Sequence, residues 1–122
     1  MHKILIVDDE PEILETLEDL IEHKLSGCEI DKANNGLDAF ILCQTNQYDL
    51  IITDHKMPFM TGAAFIIALK TRKNKCKDCP IIVLSAHIDE DLRKKLTLQN
   101  VGYMEKPFTP DHLIDIIRTR LI

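Results

Sequence analysis

The sequence predicts an α/β domain built on a parallel β-sheet with helices on both faces. Three observations carry that reading. Short aliphatic and β-branched runs recur along the whole chain and alternate with amphipathic stretches. The runs are continuously apolar, as strands covered on both faces must be. The connections are short, so successive strands are joined through helices as right-handed crossovers. At 122 residues the chain is long enough for one real core and too short for two, so a single domain over residues 1–122 is expected.

Each element has its own signal. The first strand is Lys3–Val7 and ends in Asp8-Asp9. Pro11, suited to a first helical turn, opens a helix in which Ile13, Leu14, Leu17, Leu20 and Ile21 recur at helical spacing. Glu29–Lys32 reads as the second strand, and Asn34-Asn35-Gly36 leads from it into a helix over Leu37–Cys43. Leu50–Thr53 is the third strand, and Met60-Thr61-Gly62 precedes a helix over Ala63–Leu69. Ile81–Leu84 is the fourth strand, followed by a shorter, more polar helix over Asp89–Leu98. Val101–Met104 is the fifth. The last helix starts with Thr109 as N-cap and Pro110 in its first turn, and is expected to bury Leu113, Ile114, Ile117 and Leu121.

Composition narrows the class. A hydrophobic content of 45% and a charged content of 29% are ordinary for a soluble globular protein. The formal net charge of −5 argues against nucleic acid as a direct partner of this domain. There is no membrane-length apolar run and no signal-peptide pattern, so a cytoplasmic domain without a membrane partner is expected. Of the four cysteines, Cys76 and Cys79 form a C-x-x-C pair. In a thioredoxin-like site that pair opens a helix, whereas here it leads through Pro80 into a strand. A zinc site wants two more nearby ligands, and Cys28 and Cys43 lie far away in sequence. Incidental thiols are the expectation, with a redox or metal role as the alternative.

In an open parallel sheet, ligands bind beyond the carboxyl ends of the strands. There the first strand delivers Asp8 and Asp9, the third Asp54, the fourth Ser85 and the fifth Lys106. Carboxylates gathered together repel unless a cation is present, and such a hard oxygen set suits Mg²⁺. Asp54, on the central strand, is placed to act as a nucleophile and form an aspartyl phosphate. Phosphoryl transfer needs alignment and neutralised equatorial oxygens. Lys106 supplies a compact positive charge and Ser85 a hydroxyl donor. Singly, each residue has a plainer reading: Asp8 or Asp9 as a helix cap, Asp54 as a loop cap, Ser85 as an ordinary strand end, Lys106 as a solvated charge. Together, on four strands at one edge, they outweigh those readings.

The motifs ILIVDDEPE, DLIITDHKMPFMTG, PIIVLSA and YMEKPF, in that order, resemble the receiver domain of two-component response regulators over essentially the whole chain. The resemblance implies a flavodoxin-like (βα)5 sheet of order 2-1-3-4-5. It implies that Asp54 accepts a phosphoryl group from a histidine kinase or phosphotransfer protein. Asp9 and Asp54 would coordinate Mg²⁺ directly, with the backbone carbonyl of Lys56 as third ligand and Asp8 acting through water. Ser85 and Lys106 would bind the phosphoryl group, and the Lys106-Pro107 bond would be cis. On phosphorylation Ser85 would move toward the phosphate and Tyr103 would turn inward, signalling through the fourth helix, fifth strand and fifth helix.

Some positions depart from the family pattern. His55 stands where an aliphatic residue is usual. Lys56 and His87 occupy positions that tune phosphate hydrolysis, and these longer side chains are expected to shield the phosphoryl group; a solvated loop residue is the alternative for His87. The approach to the fifth strand, LQNVGYMEKP, lacks the usual glycine-alanine-acidic run, and Asn100 is expected to supply the left-handed turn. The expected function is a phosphorylation-controlled switch with only slow self-modification activity, not an enzyme. Its rivals are a Mg²⁺-dependent phosphohydrolase and a pseudo-receiver that is never phosphorylated. The chain ends at Ile122 as the last helix finishes, which leaves open a stand-alone receiver or one separated from an effector domain. Arg93, Lys94, Lys95, Arg118 and Arg120 read either as a solvated face or as a homodimer surface.

Overall fold

In a computed structural model, which describes residues 1–99 and 101–121, strands and helices alternate strictly in chain order. They are β1 (His2–Val7), α1 (Pro11–Lys24), β2 (Cys28–Ala33), α2 (Gly36–Thr45), β3 (Leu50–Asp54), α3 (Gly62–Thr71), β4 (Ile81–Ser85), α4 (Glu90–Leu98), β5 (Gly102–Glu105) and α5 (Pro110–Arg120). All five strands are parallel and lie in the order β2-β1-β3-β4-β5, so β3 is central. The expected flavodoxin-like sheet is the observed one.

The sheet separates two apolar layers. Leu5, Val7, Ile51 and Val83 face α2, α3 and α4, meeting Ala39, Cys43, Phe65, Leu69, Leu92 and Leu96. Their neighbours Ile4, Ile6, Ile52, Ile82 and Leu84 face α1 and α5, meeting Leu14, Leu17, Ile21, Leu113, Ile114 and Ile117. This period-2 division explains why the strands read as unbroken apolar runs: each face has its own helical cover. Leu121 packs only partly against that second layer.

Helix starts follow local hydrogen-bonding chemistry. Asn35, Thr61, Asp89 and Thr109 each accept a backbone N–H three residues on, capping α2, α3, α4 and α5. Helix α1 differs. Its N-cap position is Glu10, whose side chain makes no capping bond, so neither Asp8 nor Asp9 is the cap that each could have been. The strand register also moves the site residues. Asp54 and Ser85 are the last residues of β3 and β4, paired in register with Leu84 and Glu105, where the apolar pattern alone had placed them one position outside. Asn100, the expected left-handed turn, lies outside the described residues.

Candidate phosphoacceptor and metal site

The ends of β1, β3, β4 and β5 converge because parallel pairing puts every carboxyl end at one edge of the sheet. The backbone secures each of them. Asp8 N–H donates to Ala33 at 3.1 Å, His55 N–H to Leu84 at 3.1 Å and Lys106 N–H to Ser85 at 2.7 Å, all to carbonyl oxygens. These bonds extend the ladder one residue past β1, β3 and β5 and fix the backbone of Asp8, His55 and Lys106. The Lys106-Pro107 peptide is cis.

One oxygen from each of Asp8, Asp9 and Asp54 lies within 4.8 Å of the others. Lys106 Nζ sits 3.2 Å from Asp54 Oδ1 and 3.6 Å from Asp8 Oδ2. The three carboxylates are unequal. Asp9 is exposed, Asp54 is half-buried, and Asp8 is 1% exposed. Burial pushes the Asp8 carboxyl up to about 6, with Asp54 and Asp9 adding to the rise. The Glu10 N–H, which Asp8 Oδ1 accepts at 3.0 Å, and the Lys106 charge oppose it. One ammonium therefore leaves the cluster short of positive charge. Three oxygen donors within one ion's reach, with that deficit, fit a hard divalent cation such as Mg²⁺.

A cavity of about 700 Å³ opens over the carboxylates, lined among others by Asp9, Asp54, Lys56, Ser85, His87 and Lys106. It brings together nearly all the residues expected from the sequence. Lys56 and His87 are exposed at this cavity, which places both where a group on Asp54 would project. Ser85 spends its hydroxyl on the turn beyond β4: its Oγ donates to the His87 carbonyl at 2.9 Å and accepts the His87 N–H at 3.3 Å. Tyr103, on β5, is 37% exposed and lines one surface cavity together with Arg93 of α4.

Sequence reasoning passed over several contributors. Glu10, Thr61 and Ala86 also line the cavity. Thr61 was legible as a cap, whereas Ala86 carries no signal beyond being small and following Ser85. His55 lines it too, and its Nδ1 is buried without a hydrogen-bond partner. Gly62 matters more than a generic turn. A Cβ there would lie 2.6 Å from the Asp54 carbonyl oxygen and 2.9 Å from His55 Cα, both backbone atoms. The Gly62 N–H donates to the His55 carbonyl at 2.7 Å, tying the loop under Asp54. Gly62→Ala is expected to destabilise the fold by about 1–3 kcal/mol, read as a lower urea midpoint, because rigid backbone cannot relax around the methyl.

The comparisons with known proteins agree with this geometry. The profile of the response regulator receiver domain matches residues 4–118. The chain is 36% identical over 123 residues to the transcriptional regulatory protein PcoR of Escherichia coli, covering 99% of this chain and 52% of PcoR. It thus spans about half the length of the curated transcriptional regulators it matches. Among solved structures, the chemotaxis response regulator CheY4 of Vibrio cholerae superposes with a TM-score of 0.87 at 29% identity, covering 99% of both chains. The response regulator TrrA of Thermotoga maritima, solved with Mg²⁺-BeF, superposes with a TM-score of 0.83 at 34% identity, covering 99% of this chain and all of TrrA. With the sheet order, the acidic cluster and the profile match in agreement along almost its whole length, this chain belongs to the response regulator receiver domain family.

Proposed function

We propose that this domain is a phosphorylation-dependent signalling switch that accepts a phosphoryl group on Asp54 from a histidine kinase or phosphotransfer protein. One observation carries the reading: the Asp54 carboxylate stands at the end of the central strand, 3.2 Å from the Lys106 ammonium, with two further carboxylates within reach of a shared cation. Asp8, Asp9, Asp54 and the backbone carbonyl of Lys56 would hold Mg²⁺, which when bound supplies neutralising charge to the phosphoryl oxygens. An Asp54 oxygen attacks phosphorus as the donor's bond to it breaks. The carboxylate is already ionised, so no general base is needed. Lys106 balances charge on the transferred group. Ser85 exchanges its His87 bonds for a phosphoryl oxygen, which frees space for Tyr103 to turn inward.

That movement would alter the surface formed by α4, β5 and α5, the output face for a partner protein or for an effector domain like those of the longer relatives. Part of its positive charge is already committed within single helices. Arg93 pairs with Glu90, and Arg118 lies 3.8 Å from Asp115. This favours a solvated face over a homodimer held by these charges.

The deciding experiment is intact mass after incubation with acetyl phosphate, with and without Mg²⁺, on wild type and Asp54→Asn. One Mg²⁺-dependent phosphoryl adduct, absent from the variant, is the expected result. A folded, Mg²⁺-binding wild type that gains no adduct would overturn the reading and point to an unphosphorylated interaction module. The phosphoprotein is also long-lived on this reading, because Lys56 and His87 obstruct the attacking water. Replacing both with alanine is expected to speed phosphate loss about tenfold, or ~1.4 kcal/mol of barrier, timed by the decay of the adduct. An unchanged lifetime would remove the shielding role.

A further inference from the structure

The loop from β3 to α3 is pinned at both ends and turned outward in the middle. Met57 is buried, and Met60 packs against the same apolar cluster. The Gly62 N–H bond to the His55 carbonyl closes the loop. Between the two methionines the chain makes a three-residue turn. The Met60 N–H donates to the Pro58 carbonyl at 2.8 Å, and Phe59, at the centre of the turn, has a φ of 69°. This is the γ-turn of positive φ, which is rare and strained, and for a bulky residue it is a conformational outlier. Glycine takes such a φ at no steric cost.

Phe59 gains nothing within the domain in exchange for that strain. It is 88% exposed, and among the described residues it belongs to neither apolar layer of the core. A phenyl ring held in water on a strained backbone is unfavourable twice over, and strain of this kind gathers where a chain meets a ligand or a partner. Because Met57 and Met60 anchor the turn on either side, the ring is also held in one place. A partner that covers it therefore has little chain to order.

What covers Phe59 follows from its place, given the reading of Asp54 as the phosphoacceptor, on which this step rests. The Asp54 side chain is only 12% exposed and lines its cavity together with Lys56 and Thr61. Those two residues flank Phe59 in the same loop. A phosphohistidine must reach into this cavity, where its phosphorus–nitrogen bond breaks as the bond to the Asp54 oxygen forms and the imidazole leaves with the electron pair. The protein surface around that histidine then closes on the rim, and on the Phe59 turn with it. We propose that Phe59 is the apolar anchor on which the phosphohistidine-bearing donor protein seats, and that the donor carries an apolar patch beside its histidine. Aromatic side chains are favoured at the buried centre of protein interfaces, where a few residues carry most of the affinity.

The test compares transfer to Asp54 from two sources. One is acetyl phosphate, which needs no docking surface. The other is a phosphohistidine protein, taken from a panel of purified histidine kinase cores autophosphorylated with ATP; the core that labels wild type fastest is the probe. Phe59→Gly is expected to keep the wild-type rate with acetyl phosphate and a urea midpoint at or above that of wild type, because the strain is relieved. Transfer from the kinase core, at receiver concentrations below saturation, should fall about tenfold or more. The loss should lie in the half-saturating concentration and not in the saturated rate, and Phe59→Leu should recover most of it. Equal transfer from the core to wild type and Phe59→Gly would overturn the proposal. Equal slowing with both sources would do the same, placing the effect in the site itself, as would a panel that leaves unlabelled a wild type that acetyl phosphate labels. A dimer in sedimentation that Phe59→Gly dissolves would make a second copy the occupant and also overturn it. A wild type that takes no phosphoryl group from either source would overturn the reading of Asp54, and this proposal with it.

Discussion

With metal removed by a chelator, Asp8→Asn is expected to be more stable than wild type at pH 7.5, and that advantage should fade toward pH 4.5. Asp8 is 1% exposed and its carboxyl is raised to about 6, chiefly by burial. A carboxyl whose folded pKa lies above its unfolded value favours folding while protonated. That contribution is complete below the unfolded value near 4 and is lost as pH rises through about 6. Above 6, the metal-free fold carries an ionised, poorly solvated Asp8 at a cost of about 3 kcal/mol. Asparagine keeps an oxygen for the Glu10 N–H and does not titrate, so urea unfolding of the two proteins across pH isolates this one group. Mg²⁺ should reverse the order at pH 7.5, stabilising wild type much more than the variant. Equal pH profiles in chelator would show that Asp8 is not held ionised at a cost.

The architecture and most of the site were legible in the sequence for a physical reason. A strand buried on both faces must be apolar throughout, so the first polar residue marks where the chain emerges. Asp8 and Lys106 could be placed that way without knowing which strands were neighbours. Orientation was not legible in the same way. Nothing in PIIVLSAHI says that Ser85 spends its hydroxyl on the His87 backbone, because that bond depends on the turn beyond β4. Nor does DHKMPFMTG disclose that Gly62 rests against the Asp54 carbonyl; the sequence shows a small residue but not what it touches. The thiols show the same limit at longer range. Cys76 and Cys79 are conspicuous as a C-x-x-C pair, yet the Cys76 thiol donates to the Asn46 carbonyl at 3.3 Å, brought there by the packing of the end of α2 beside the α3–β4 segment.

Lys106→Met is expected to slow phosphorylation by acetyl phosphate by about 10²–10³-fold while tightening Mg²⁺ binding. The ammonium lies 3.2 Å from Asp54 and 3.6 Å from Asp8, so it is placed to serve both the proposed nucleophile and the carboxylates proposed to hold the metal. Methionine keeps the apolar stem and removes only the charge. Without that charge the carboxylates attract a divalent cation more strongly, because a competing positive group has gone. The transferred phosphoryl group, however, loses the donor that balances its oxygens as the bond to Asp54 forms. The opposite signs are the point of the experiment. A variant that was merely misfolded would lose both affinity and rate, whereas loss of the metal site would weaken binding first. The chain has no tryptophan to report binding, so calorimetric Mg²⁺ titration is the suitable measure, alongside adduct formation followed by mass. Lys106→Arg should recover only part of the rate. It restores the charge, but a planar fork does not occupy the place of a compact ammonium between two carboxylates. If Lys106→Met phosphorylated at the wild-type rate, the short contact to Asp54 would have to be a resting-state pairing alone, and neutralisation during transfer would fall to Mg²⁺ and the Ser85 hydroxyl.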